Sequence, residues 1–479
     1  MNHRFRKALS ALTALALLWG LILPAGASPA LGEDLTAKNT ELHRETQLST
    51  NVFWSTAYND VRTENLITYR PSYDVTPIVN AGSVLTERSR VTTAARELEN
   101  AGYRVVAGLN GDFYNVNTGL PIGIVVTEGQ LRSSDAGYYA IGFRADGTAI
   151  LGKPGVTVTA GLGFTGGGEE IQRRITGVNK ARVSTGGIYL YTYDFNANHT
   201  TGNTEAGIDV VCDIIDGRLS IGETVTLSVS QVLEASSATA VGPEQVVLSA
   251  NLKSDAYHVD ALRSLQPGAL ITVSALSANE GWNDVEYAIG SLYSLVQNGA
   301  VSSGLEAGSA PRTAVGQTAG GDLIFYTIDG RKSGHSIGAT MTQVAQRLIE
   351  LGCVTALCLD GGGSTTLSVT QPDQLAAKTV NTPSDGAERS VTNQIFLVAS
   401  NEPTGELDHF YVQADHAYVL AGSSVHISAA AIDTHYIPME ERYELETSDG
   451  ELTGDTLVTP RSGGEITVTA YNGHSQQNS

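Results

Sequence analysis

The chain has 479 residues and carries 29 Lys and Arg against 50 Asp and Glu, a formal net charge of -21. That acidity excludes nucleic acid or an anionic membrane surface as the main partner, because both are held chiefly by clustered Lys and Arg. A local basic pocket for one phosphate remains compatible with it, and 52 glycines with only 6% aromatic residues point to a strand-rich protein with many tight turns.

At the start, His3, Arg4, Arg6 and Lys7 precede an apolar run from Ala8 to Leu23, then Pro24 and Ala25-Gly26-Ala27. That order predicts a secretory signal over residues 1–27, cut after Ala27. The run is shorter than the roughly 20 apolar residues that span a bilayer, and no later segment is long enough to do so. Losing Arg4, Arg6 and Lys7 would take the mature chain from -21 to -24, so the sequence predicts an acidic, exported protein.

Residues 28–49 show no periodicity and are expected to form a flexible leader. Residues 50–400 mix strands with a few clear helices, which predicts an α+β domain built on mixed β-sheet. A β-rich extension is expected over about 146–282, where short alternating strands are separated by Gly, Asn and Asp. Residues 402–479 alternate at sandwich-like spacing and predict a small immunoglobulin-like β-sandwich, short for a complete one.

Two segments share one pattern. Residues 87–100 have helical spacing with Val91, Ala94, Ala95 and Leu98 on one face, Gly102 stops the helix, and 103–109 reads as a strand running into Asn110-Gly111-Asp112. Farther on, Met341, Val344, Ala345 and Leu348 form an apolar stripe, with Thr340 and Gln343 spaced as a capping box. Gly352 ends that helix, and 354–359 is a strand running into Asp360-Gly361-Gly362-Gly363. A strand over 323–328 ends in Asp329-Gly330-Arg331. Parallel pairing of the last two strands through a right-handed crossover would bring Asp329 and Asp360 to one sheet edge, where open α/β sheets place ligands. Cys353 and Cys358 fall in one strand, roughly 16 Å apart at about 3.3 Å per residue, beyond disulfide reach. With Cys212 they are expected to be buried or free thiols.

The turn Asp360-Gly361-Gly362-Gly363-Ser364-Thr365 lets backbone approach a ligand closely and gathers N–H groups in one concavity, which suits phosphate oxygens. A flexible turn is the alternative, and no Lys follows to make it a P-loop. Asn110-Gly111-Asp112-Phe113-Tyr114, followed by Leu120-Pro121-Ile122-Gly123, offers Asp112 as ligand, base or nucleophile, with Phe113 and Tyr114 as an aromatic wall for a sugar ring. An Asn-Gly turn would explain it equally simply. Arg312, between Pro311 and Thr313, and Arg331 present planar forks suited to phosphate oxygens, although Arg331 could instead pair with Asp329. His335 reads as an exposed loop histidine rather than a proton shuttle. His and Cys show no metal-ligand spacing, and there is no G-x-S-x-G nucleophile elbow.

Taken in order, Asn110-Gly111-Asp112-Phe113, Pro121-Ile122-Gly123, Arg312-Thr313-Ala314, Asp329-Gly330-Arg331 and Leu359-Asp360-Gly361-Gly362-Gly363-Ser364 resemble the phosphodiester glycosidase domain family over about residues 75–398. Ile289-Gly290, Gln297-Asn298-Gly299, Arg389 and Asn393 also sit where relatives have similar residues. Phe113-Tyr114 stands in place of the more usual pair of phenylalanines, and Cys358 where Asn is frequent. The resemblance implies hydrolysis of a sugar's anomeric C–O bond with a phosphomonoester leaving, in a surface polysaccharide or glycolipid. It implies Asp112, Asp360, Arg312 and Asp329 as the catalytic set, with Asn110, Phe113, Gly123, Thr313, Arg331, Gly361, Gly362, Gly363 and Ser364 around the substrate. A divalent cation held by the aspartates would share the electrostatic task. The competing reading is a non-catalytic cell-surface module that binds carbohydrate or serves as structure.

Overall fold

Alternating apolar residues put nearly half of the described residues into strands, and three α-helices are found among them. The structure is a computed structural model that describes residues 29–164, 168, 170–472 and 475–476; the secretory signal expected at 1–27 lies outside them. Among the described residues, no helix is long and apolar enough to cross a membrane.

The central sheet has eight strands in the order Glu33–His43, Thr46–Ser55, Asp60–Tyr69, Leu323–Ile328, Arg312–Thr318, Cys353–Cys358, Tyr293–Gln297, Ala300–Val301. A five-stranded sheet, ordered Lys378–Thr379, Leu367–Val369, Tyr103–Asn110, Gln394–Ser400, Val75–Asn80, packs against it. Their shared core joins Ile67, Phe325 and Leu357 of the first sheet to Val79, Val106, Leu109 and Ile395 of the second. Each such fully buried side chain is worth about 1.5–3 kcal/mol relative to exposure. The helix Met341–Glu350 lays Met341, Val344, Ala345 and Leu348 against Cys353, Ala356 and Cys358. Its capping box is formed as the sequence predicts: Thr340 accepts from the Gln343 N–H, and the Gln343 side chain accepts from the Thr340 N–H.

Between the halves of this scaffold, seven strands from Val156–Phe164 to Leu270–Ser277 close into a barrel. Its interior is a separate core that includes Val158, Leu190, Val210, Leu227, Leu248 and Val273. After Ser400 the chain forms two small sheets, one running Leu407–Ala414, Ser424–Asp433, Thr456–Val458, Glu451–Thr453 and the other Glu444–Thr447, Val468–Asn472, Ser475–Gln476. They share apolar contacts through Val412, Leu445 and Val468. Tyr436 stacks on His43 at 4.5 Å between ring centroids and donates to Glu41 at 2.7 Å, tying this region to the N-terminal hairpin.

Three expectations change. The segment at 28–49 is not a leader: from Glu33 it is the edge strand of the central sheet, paired with Thr46–Ser55. Its first seven residues are exposed, so neither face carries the apolar alternation that announces a strand. The strands Leu323–Ile328 and Cys353–Cys358 are not partners, because Arg312–Thr318 lies between them and pairs antiparallel with both. They still run the same way, so Asp329 and Asp360 do leave the same edge. The first helix is Val91–Asn100 and starts later than residue 87, since Ser89 bridges to Val391 instead. All three cysteines are buried free thiols.

Candidate active site

Two strands from different sheets end side by side. The Asp360 N–H donates to the Gly111 carbonyl at 3.0 Å. Asn110 donates from Nδ2 to the Asp360 carbonyl at 2.6 Å, while its Oδ1 accepts from Thr313 Oγ1 at 2.8 Å and the Thr366 N–H at 3.1 Å. Asn110 and Thr313 are fully buried. They latch the two turns together from behind.

Asp112 is also buried, against the backbones of two glycines. Its Oδ1 accepts from the Phe113 N–H at 2.7 Å and its Oδ2 from the Gly123 N–H at 2.9 Å, while its own N–H donates to Asn393 Oδ1 at 2.8 Å. Burial pushes its carboxyl up to about 7; the Gly123 and Phe113 N–H groups and Lys180 pull the other way, and Asp360 adds to the rise. Lys180 donates from Nζ to the carbonyls of Pro121, Ile122 and Gly123 at 3.0, 2.8 and 2.8 Å, and burial brings its ammonium down to about 8. A raised carboxyl binds its proton more tightly in the folded chain, so this group costs stability as pH rises from 3.8 to about 7. Lys180 acts in the opposite sense, with its penalty relieved only between about 8 and 10.5. We therefore expect urea midpoints of the native chain to fall more between pH 5 and 7 than those of Asp112→Asn, by a difference of roughly 2 kcal/mol. At the same time the Asn amide would face a buried N–H, costing about 1–3 kcal/mol.

Asp360 is half-buried and open to the cleft. Burial raises its carboxyl above the usual range, opposed by the Ser364 hydroxyl, the Gly361 N–H and the Arg389 guanidinium. Gly362 has φ +63°, and a Cβ there would lie 3.1 Å from Arg331 Nη2; a Cβ on Gly363 would lie 2.0 Å from Arg389 Nη2. Two guanidinium groups thus occupy the space that side chains on this turn would fill. Arg389 is held by Asp385 at 2.6 Å and reaches Ser364 Oγ at 3.5 Å. Arg331 is exposed at a φ of 62°, unusual for a non-glycine residue, and it is His335 rather than Arg331 that pairs with Asp329.

Arg312 lies on the other side of Gly361, its guanidinium donating to the carbonyls of Ala339 at 3.3 Å and Gly308 at 3.0 Å. Two of its nitrogens are thereby engaged with carbonyls beside the turn. Asp329 is buried, accepting from Asn381 Nδ2 at 3.0 Å, the Thr382 N–H at 2.9 Å and His335 Nε2 at 2.8 Å. Asn381 also donates to the Thr365 carbonyl at 3.2 Å, which joins Asp329 to the glycine turn. Phe113 meets Tyr293 edge-on at 5.9 Å, and the guanidinium of Arg88 lies 5.4 Å above the Tyr114 ring.

The sequence reading brought together Asp360, the three glycines, Ser364, Arg331, Gly123 and Phe113. It undervalued His335, whose partner is six residues away across a turn, and Arg389, which it noted without a role. It missed Lys180, a lone lysine in the β-rich stretch with no motif around it. A divalent ion does not fit these residues: both Asp112 oxygens already accept backbone N–H groups, and among the described residues no group of three or more His, Cys, Asp and Glu converges.

A half-buried carboxylate thus lies beside a glycine turn flanked by two guanidinium groups. Residues 223–398 match the model of the phosphodiester glycosidase family. The matched residues include Arg312, Asp329, Arg331, Asp360 to Ser364 and Arg389, whereas the Asn110 to Gly123 segment lies before them. An uncharacterized protein, YomE, of the SPbeta prophage of Bacillus subtilis (strain 168) is 36% identical over 94 residues, which are 20% of this chain and 14% of that protein's length. The fold is shared with a hypothetical protein from Synechocystis at a TM-score of 0.59 and 19% identity, covering 76% of this chain and 64% of that one. It is also shared with a candidate exported protein from Burkholderia pseudomallei K96243, at a TM-score of 0.52 and 18% identity, covering 71% and 74%.

Proposed function

We propose that the chain is an exported glycosidase that cleaves the anomeric C–O bond of a sugar-1-phosphodiester in a surface polysaccharide or glycolipid. The observation that carries this reading is the pair of guanidinium groups, Arg331 and Arg389, laid against Gly362 and Gly363 beside the Asp360 carboxylate. In this reading the arginines bind the phosphate, and Asp360 faces the anomeric carbon as positive charge develops there. The C1–O bond breaks with its electron pair leaving on the phosphomonoester, a good leaving group that needs little general-acid help, and water supplies the new hydroxyl. Asp112, whose carboxyl burial raises to about 7, holds the Gly123 and Phe113 backbone and shapes the cleft. The basic-then-apolar pattern of residues 1–27, that of a secretory signal, supports export. Residues 50–400 are read as the catalytic part, and the two small sheets after Ser400 as an immunoglobulin-like spacer.

Incubation with a panel of sugar-1-phosphodiesters should release reducing sugar, unchanged by EDTA; release from none of them overturns the reading. Asp360 must be ionised to act, and its carboxyl is raised, so the acid limb of the rate profile should lie above the 3.8 of an ordinary Asp. Because Arg389 draws that carboxyl down, Arg389→Gln should move the limb to higher pH. A limb that stays in place would remove Asp360 from the titrating role.

A further inference from the structure

At the far end of the five-stranded sheet from Asp360, a second site has the chemistry of a ligand pocket. The strand Gln394–Ser400 fixes the geometry: Gln394 pairs with Asn110 and Asn80 at the catalytic end, and Ala399 pairs with Arg104 and Val75 at the other. Five residues at about 3.3 Å place the two ends roughly 17 Å apart. Beside Val75, in the turn after Asp60–Tyr69, Tyr73 is 82% exposed, and it makes no hydrogen bond or ring contact among the described residues. One such tyrosine is unremarkable by itself.

Its surroundings set it apart. Tyr73 lines two cavities, one of about 430 Å³ with His43, Asp74 and His435, and one of about 490 Å³ with Arg144, Arg218 and Asn283. Each cavity also has in its wall a polar side chain only 5% exposed with one buried atom lacking a partner among the described residues: His43 Nδ1 in the first and Ser220 Oγ in the second. Leaving such an atom unpaired costs about 1–3 kcal/mol, a penalty that a ligand hydroxyl reaching it would remove.

The charges select the occupant. Asp74, Asp146, Glu223, Asp284 and Glu286 would repel an anion, and Arg44, Arg144 and Arg218 would repel a cation. A neutral polyol satisfies both, giving hydroxyl protons to carboxylates and accepting from guanidinium groups, while the face of an exposed aromatic ring covers the apolar face of a pyranose. We propose that Tyr73 and its two flanking cavities form a secondary binding site for a neutral oligosaccharide segment, separate from the site at Asp360. This inference does not depend on turnover at Asp360.

Native affinity electrophoresis in gels containing dextran, mannan, laminarin or polygalacturonate tests it. Migration should be retarded by at least one of the three neutral polymers. Tyr73→Ala, at an exposed position where the fold is preserved, should weaken that retardation about tenfold, and Ser220→Val, which removes the unpaired hydroxyl, should weaken it to a smaller degree. Asp360→Asn should be retarded as the native chain is, whether or not the native chain releases reducing sugar, so this test and the activity test fail separately. No retardation by any neutral polymer, retardation by polygalacturonate alone, or equal retardation of Tyr73→Ala with its unfolding midpoint unchanged would overturn the proposal.

Discussion

Asp360→Asn is expected to lower turnover by about a hundredfold or more while leaving the unfolding midpoint within about 0.5 kcal/mol of the native chain. Asp360 follows the end of Cys353–Cys358; its backbone ties the turn to the neighbouring strand through the N–H to Gly111 and the carbonyl from Asn110, while its side chain meets, among the described residues, only the Ser364 hydroxyl and the Gly361 N–H. Asn keeps the size and both backbone bonds but loses the charge that would meet a developing cation at the anomeric carbon. Single-turnover release of sugar from a responsive phosphodiester, measured beside urea denaturation, separates the outcomes. Near-normal release would assign the carboxylate work elsewhere. A large loss of stability would make the turn structural.

Gly290→Ala should have the opposite signature, losing stability first and activity as its consequence. A Cβ at Gly290 would stand 2.3 Å from Asp112 Oδ2 and 2.5 Å from the Gly123 Cα. Neither neighbour can yield, since one is a buried carboxylate fixed by two N–H groups and the other is backbone. Overpacking of this kind costs about 3 kcal/mol or more where nothing flexible can give way. Gly152→Ala is the control: it lies in a strand of the same sheet as Gly290, and a Cβ there meets nothing within 4 Å. Equal midpoints for the two variants would show that Asp112 and Gly123 can move apart, and with that the rigid floor assigned to this part of the cleft would be lost.

These two positions also show what could be read from the sequence. The apolar stripe of Met341–Glu350, its capping box and the strand Leu323–Ile328 were legible because helix and strand periods are local properties. Asp360 and its glycines were legible for the same reason, as a turn between recognisable elements. The interposed strand Arg312–Thr318 was not, because its hairpin with Leu323–Ile328 competes with an equally plausible parallel pairing, and only tertiary packing decides between them. The edge strand Glu33–His43 was hidden by a polar face on each side. Lys180 was invisible, since its partners are three backbone carbonyls about 60 residues away, and carbonyls leave no trace in a sequence.

The order of strands has a kinetic consequence. Asp60–Tyr69 pairs with Leu323–Ile328, and Val75–Asn80 and Tyr103–Asn110 both pair with Gln394–Ser400, so two sheets wait on segments more than 250 residues downstream. Pairing of that range is slow, because the entropy of closing the loop is lost before any contact is gained. The barrel from Val156 to Ser277 pairs only with itself and has no such delay. It can therefore fold first and shorten the loop that the outer strands must close. Until Gln394–Ser400 docks, Tyr103–Asn110 is held on one edge only, by Leu367–Val369, and Val75–Asn80 has no strand beside it. A chain interrupted before that strand would contain a finished barrel and every catalytic side chain proposed, yet no cleft.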